Sequence, residues 1–191
     1  MATRRIGTTD SKTRAQLLDA AERLLLEEGY AAVTSRRVGA AAGLKPQLVH
    51  YYFRTMDDLF VEVFRRRAEE NLVRFERALA EGVSLRSIWE LSADPRGAAF
   101  TTEFAALANH RKTIRAEIAR YAERYRAAQV EAIRRASDVA GVSEAELPPL
   151  VGVLLMTGLA QVLALEERLG ITAGHAEALA FVDRALRRLE G

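Results

Sequence analysis

Cysteine is absent from the 191 residues, which removes disulfides, thiolate zinc sites and thiol nucleophiles from consideration. Histidine is scarce: His50, His110 and His175 stand far apart on separate predicted helices. There is no H-E-x-x-H pair, no glycine loop to cradle a phosphate and no nucleophile elbow. Glu103, His110 and Glu117 recur at intervals of seven and would share a face if one helix carried them all, but Asn109-His110 reads as a helix junction. No catalytic residue, no metal ligand and no cofactor are therefore assigned. Strand-like alternation is missing too, and the 4 prolines and 12 glycines act mainly as punctuation between helical segments. The opening residues lack the apolar core of a secretory leader, so the expected location is cytoplasmic.

Neither sign of charge is in large excess, with 28 Lys/Arg against 26 Asp/Glu. The distribution is uneven: residues 1–55 hold nine basic and five acidic residues, and 56–191 hold nineteen and twenty-one. A basic first third on a mildly acidic remainder suits phosphate contact at one end of the molecule. One long charge-free run exists, LPPLVGVLLMTGLAQVLAL at 147–165. Its prolines, glycines, Thr157 and Gln161, with carboxylates just outside both ends and no basic flank, argue against a membrane span. A helix covered nearly all round by protein is the expectation, and no membrane partner is assigned.

The chain reads as all-α. Residues 1–9 form a basic arm, and Asp10 or Ser11 caps a helix to about Glu28 with apolar positions Leu17, Ala21, Leu24 and Leu25. The stretch Thr34–Arg54 then gives two short helices. Thr34 is an N-cap, Gly43 permits the left-handed turn, and Pro46 opens the second helix. Such a helix–turn–helix presents its second helix to a DNA major groove, although an αα-corner serving protein contact has the same outline. Thr55 followed by Asp57 and Asp58 starts a long helix, in which Arg65-Arg66-Arg67 is expected to be a solvated face. Helices at Ser84–Ala93, from Pro95 to about Ala108 and from Lys112 to about Ala140 follow. Ser143 is expected to cap into Glu144–Glu146, and Thr172 to cap a last helix.

The run TSRRVGAAAGLKPQLVHYYFRTMDDLF resembles the DNA-binding signature of the TetR/AcrR (tetracycline-repressor) family over about residues 12–64. Its marks are a Thr opening the second helix, an Ala-Gly turn, a recognition helix ending in Tyr-Phe and an acidic start to the next helix. Three positions depart from the pattern: Lys45 where Ser or Thr is usual, His50 where Tyr is usual, and Met56 where Lys is frequent. The resemblance implies a helix–turn–helix head at 10–54 and a helical effector-binding and dimerisation domain at 55–191. It also implies a homodimer on a pseudo-palindromic operator, most simply a repressor released by a small, largely apolar effector. Arg36, Gln47 and Leu48 are expected at base edges, with Thr34, Ser35, Lys45, Tyr51 and Arg54 at phosphates and His50 on the same helix. Trp89, Phe100, Phe104, Tyr121 and Tyr125 are the candidate effector residues. Gly152, Met156, Ala160, Ala164, Leu179, Val182 and Leu186 are the candidate dimer contacts, through the last two helices. The alternative is a helical protein-interaction module without specific DNA binding.

Overall fold

The computed structural model describes residues 3–191, with side chains from Lys12 onward. It is all-α among the described residues: α1 Thr3–Glu28, a 3-10 turn at Tyr30–Ala32, α2 Ser35–Ala42, α3 Pro46–Tyr52, α4 Met56–Glu81, α5 Leu85–Ser92, α6 Pro95–Ala108, α7 Lys112–Ala140, α8 Pro149–Arg168 and α9 His175–Glu190. The start of α1 lies upstream of the cap expected at Asp10 or Ser11. The side chains of the arm expected at 1–9 lie outside those described. The chain divides into two compact units. One holds residues up to Glu69 together with Glu103–Ala119, and the other holds Glu70–Thr102 and Arg120–Gly191. The head expected at 10–54 falls within the first.

In the first unit, Leu17, Leu18, Ala21, Leu24 and Leu25 of α1 are buried, as are Val33, Val38 of α2, Val49 of α3 and Phe53. Their three- and four-residue spacing on α1 turns one apolar stripe inward. Leu59, Phe60, Val63 and Phe64 of α4 are buried as well. The start of α4 is fixed by reciprocal bonds: Thr55 Oγ1 accepts from the Asp58 amide and Asp58 Oδ2 accepts from the Thr55 amide, each at 3.0 Å. Phe104, from far along the chain, meets Phe64 at a ring separation of 5.1 Å.

The arginine run on α4 is exposed at Arg65, half-buried at Arg66 and Arg67, and ion-paired. Arg65 bonds Glu117 at 2.5 Å, and Arg66 bonds both Asp19 at 2.6 Å and Glu22 at 2.8 Å. Burial works against the Arg66 charge, but the bonds from Glu22 and Asp19 outweigh it and raise its proton affinity. Acidic partners distant in sequence thus hold α4 to α1 and to the start of α7. Glu103 and Glu117 are likewise committed: Glu103 accepts the Tyr30 amide at 3.1 Å, and among the described residues no acidic–histidine group suits a metal ion.

The second unit is organised on Phe75, Leu85, Ile88, Trp89, Ile133, Val153 and Leu186. Helix α5 begins with a Ser84–Ser87 capping box, and its first turn is tied to α9. Glu190 accepts the Arg86 amide at 3.0 Å, and the Arg86 guanidinium meets Asp183 at 2.9 Å. Helix α9 is capped by Gly174 and not by Thr172, whose carbonyl accepts the His175 amide in the preceding turn. Ser143, expected to cap into Glu144–Glu146, bonds Glu146 through its Oγ in a turn at Ser143–Leu147.

Helix α8 is covered by its own chain on one side only. Length and composition alone would let it cross a membrane, yet its inner side carries Val153 and Ala160 of the core. Leu150, Val151, Leu154, Leu155, Val162 and Leu165 are exposed on the chain by itself. Three of the candidate dimer contacts are corrected by this phase. A Cβ at Gly152 would lie 3.1 Å from Ile133 and 3.3 Å from Leu147. Ala160 and Leu186 are core residues. All three point into their own chain. Met156, Ala164 and Val182 are half-buried, and Leu179 is exposed.

Candidate functional site

Local chemistry builds the α2–α3 motif. Thr34 Oγ1 accepts the Arg37 amide at 3.3 Å, satisfying one of the unpaired donors at the start of α2. At the other end Gly43 adopts φ 68°, where a Cβ is disfavoured. The Leu44 amide returns to the Gly39 carbonyl at 2.8 Å, and Arg23 adds a bond to the Ala41 carbonyl at 3.0 Å. Gly39 answers a different need. A Cβ there would sit 3.0 Å from Leu44 O and 3.1 Å from Pro46 Cα and N, so the turn closes against bare backbone. Pro46 begins α3, where its missing N–H costs nothing.

Val49 and Phe53 anchor α3 inward. Gln47, His50 and Tyr51 are exposed and Leu48 half-buried, so one helix surface presents amide, imidazole and phenol groups to solvent. Tyr51 is 73% exposed, unusual for a large aromatic ring, and stands edge-on to Tyr52 at 5.0 Å. Lys45 occupies the N-cap without a side-chain bond, leaving its ammonium to solvent. Thr34, Arg36 and Arg54 are exposed and Ser35 is half-buried at the first position of α2. Arg37, beside Arg36, is held by Glu28 at 2.5 Å. The end of α3 is further steadied by Arg14, whose guanidinium lies 5.3 Å from the Phe53 ring centre while bonding Glu62 at 2.7 Å. Sequence reasoning missed Arg14, Arg23 and Gly39, none of which belongs to the exposed surface it sought.

The five candidate effector residues separate. Phe104 belongs to the first unit, against Phe64; Trp89, Phe100, Tyr121 and Tyr125 belong to the second. There Tyr121 and Tyr125 stack at 5.6 Å, and Tyr125 meets Phe75 at 5.1 Å. Trp89 is a member of the core against which Tyr125 packs. Burial pushes the Tyr125 phenol up to about 12, the neighbouring Tyr121 adds to this, and a bond from Asn71 opposes it. Polar groups that sequence reasoning passed over lie close by. Asn71 donates to the Tyr121 hydroxyl at 2.9 Å, Arg74 bonds Asn71 Oδ1 at 3.0 Å and Asp94 at 2.9 Å, and buried Gln129 donates to Thr157 at 3.4 Å. The i, i+4, i+8 spacing of Tyr121, Tyr125 and Gln129 was the available signal.

Residues 17–63 match the family model of the bacterial regulatory proteins, tetR family. The fold recurs in a TetR transcription regulator from Haloarcula marismortui, 20% identical, with a TM-score of 0.69 over 93% of this chain and 98% of that one. A transcriptional regulator from Saccharomonospora viridis, in complex with choline, is 20% identical, with a TM-score of 0.71 over 82% and 85%. FadR from Bacillus subtilis, in complex with stearoyl-CoA, is 16% identical, with a TM-score of 0.62 over 81% and 88%. No curated protein sequence matches the chain. Residues 17–63 thus match the tetR-family model, and the chain as a whole shares the fold of solved TetR-family regulators.

Proposed function

We propose that this protein is a dimeric, sequence-specific DNA-binding regulator, a repressor whose grip on a pseudo-palindromic operator is released by a small molecule. The observation that carries the reading is the outward surface of α3: Gln47, His50 and Tyr51 exposed on a helix pinned by Val49 and Phe53. Gln47 and Leu48 enter the major groove near the start of that helix, and Arg36 on α2 pairs with guanine. Lys45, Tyr51, Arg54, Ser35 and the hydroxyl of Thr34 meet phosphates, which fix register without reading sequence. Thr34 already accepts from the Arg37 amide, which leaves its O–H to donate.

Two-fold pairing supplies the second head. The apolar residues exposed on α8, with Leu179 and Phe181 on α9, are the surface that a second copy covers. The effector is held in the second unit, near Trp89, Tyr121 and Tyr125. Choline and stearoyl-CoA bound to proteins of this fold have little in common, so the fold does not choose the ligand. Because α4 contributes residues to both units, a tilt of it would move the head. Half-sites one turn apart need recognition helices about 34–36 Å apart, and a small change in that spacing weakens operator binding. Coupling of about 1–3 kcal/mol is typical, and operator must weaken effector binding equally.

The test is selection from random duplexes. A recovered palindromic motif supports the reading, whereas enrichment of no motif, with only salt-dependent retention of any DNA, favours the protein-interaction alternative.

A further inference from the structure

Helix α7 carries a polar ladder on a side that is otherwise apolar. Tyr121, Tyr125 and Gln129 follow one another at single-turn spacing, about 12 Å from first to last, and Gln129 is only 4% exposed. Beside it are core residues Ala132 and Ile133. A buried carboxamide has two N–H donors and a carbonyl acceptor to satisfy. The structure gives Gln129 one partner, Thr157 Oγ1, at 3.4 Å, longer than an ordinary N–H···O bond of about 2.7–3.2 Å. A single long bond holds the glutamine weakly there, and leucine would fill the place with no polar group to satisfy.

We infer that Gln129 and Thr157 are the polar recognition point for the effector, and that the effector is an uncharged, flat molecule bearing a hydroxyl group, not a wholly apolar one. This rests on the reading that the second unit holds an effector. A ligand hydroxyl seated between α7 and α8 accepts from Gln129 Nε2 and donates to Thr157 Oγ1. One long contact then becomes two of ordinary length. The stacked rings of Tyr121 and Tyr125 offer a surface for the flat portion of the ligand. Charge is selected against because the ladder's own groups are neutral: two phenols, a carboxamide and a hydroxyl. The burial that holds the Tyr125 phenol up penalises any other buried charge in the same way. The nearby ions, Arg74 and Asp94, pair with each other at 2.9 Å, so a ligand charge would have to compete with that pair.

Calorimetric titration of the full chain with 2-naphthol, naphthalene and 2-naphthoate tests the assignment. 2-Naphthol is expected to bind at least tenfold more tightly than either of the others. Gln129→Leu should cost 2-naphthol about tenfold and leave naphthalene unchanged. Thr157→Val should act in the same direction and gives a second reading should Gln129→Leu fold poorly. Equal binding of naphthol and naphthalene, tightest binding of naphthoate, no binding of naphthol, or a naphthol affinity untouched by both variants overturns the proposal. The underlying reading fails separately: if naphthol binds as stated but operator affinity is the same with and without it, the ladder stands and the regulatory role does not.

Discussion

Gly39→Ala is the substitution whose sign tests the account of the head most sharply. In an ordinary helix interior, replacing Gly with Ala stabilises by about 1 kcal/mol, since the backbone loses less freedom on folding. At position 39 the added Cβ would lie 3.0 Å from Leu44 O and 3.1 Å from two atoms of Pro46. All three belong to backbone, so no side chain can rotate away, and relief requires the turn between α2 and α3 to open by a few tenths of an ångström. Overpacking of that kind costs about 1–3 kcal/mol, which offsets or exceeds the helical gain and leaves a net loss of up to about 2 kcal/mol. For a chain of this size the melting temperature should fall by up to about 4–8 °C. Operator affinity should fall further than stability does, because the opened turn re-aims α3. Gly97→Ala is the control. Its nearest neighbours are atoms of the Asp94 side chain, from 3.5 Å, and it should be neutral or stabilising. Thermal unfolding of both variants with operator retardation checks the reasoning. A Gly39→Ala protein that melts above the parent and binds operator normally would refute it.

Arg36→Ala should weaken operator binding by about 1–3 kcal/mol at one base position; a uniform loss across sequences, seen by retardation of single-base operator variants, would make Arg36 a phosphate contact. Leu155→Glu should yield a folded monomer, since Leu155 is 63% exposed on α8, whereas Ala160→Glu should unfold the chain because Ala160 is core. Light scattering with circular dichroism separates these outcomes. Tyr125 has its phenol raised from 10.0 to about 12, so its neutral form is favoured in the folded chain. Its contribution is complete below pH 10 and is lost as pH rises towards 12, an effect of about 3 kcal/mol. Urea unfolding across that window should show the parent losing stability more steeply than Tyr125→Phe.

Short-range chemistry was legible in the sequence. Thr34, Gly43 and Pro46 each act on backbone within a few residues, and all three occupy the cap, left-handed turn and helix start that their types suggest. Long-range choices were not. The Arg65–Arg67 run is decided by Asp19, Glu22 and Glu117, which no local pattern links to it. A charge-free helix carries no polar face to show its rotation, so choosing Gly152 and Ala160 for their smallness as contacts between copies selected residues that face inward. Gln129 looked like one more polar residue on a long amphipathic helix, and only its burial distinguishes it.

The first unit is discontinuous: it needs Glu103–Ala119 as well as everything up to Glu69. Phe104 completes the packing at Phe64, and Glu103 and Glu117 hold Tyr30 and Arg65. During synthesis the α2–α3 motif therefore emerges from the ribosome well before the segment that finishes its support. At ordinary elongation rates the wait from Glu69 to Ala119 is roughly three to ten seconds. Through that interval Phe64 lacks Phe104 and Arg65 lacks Glu117, so the nascent head is open to chaperones and proteases. A stop codon placed after Glu69 would leave it in that condition permanently.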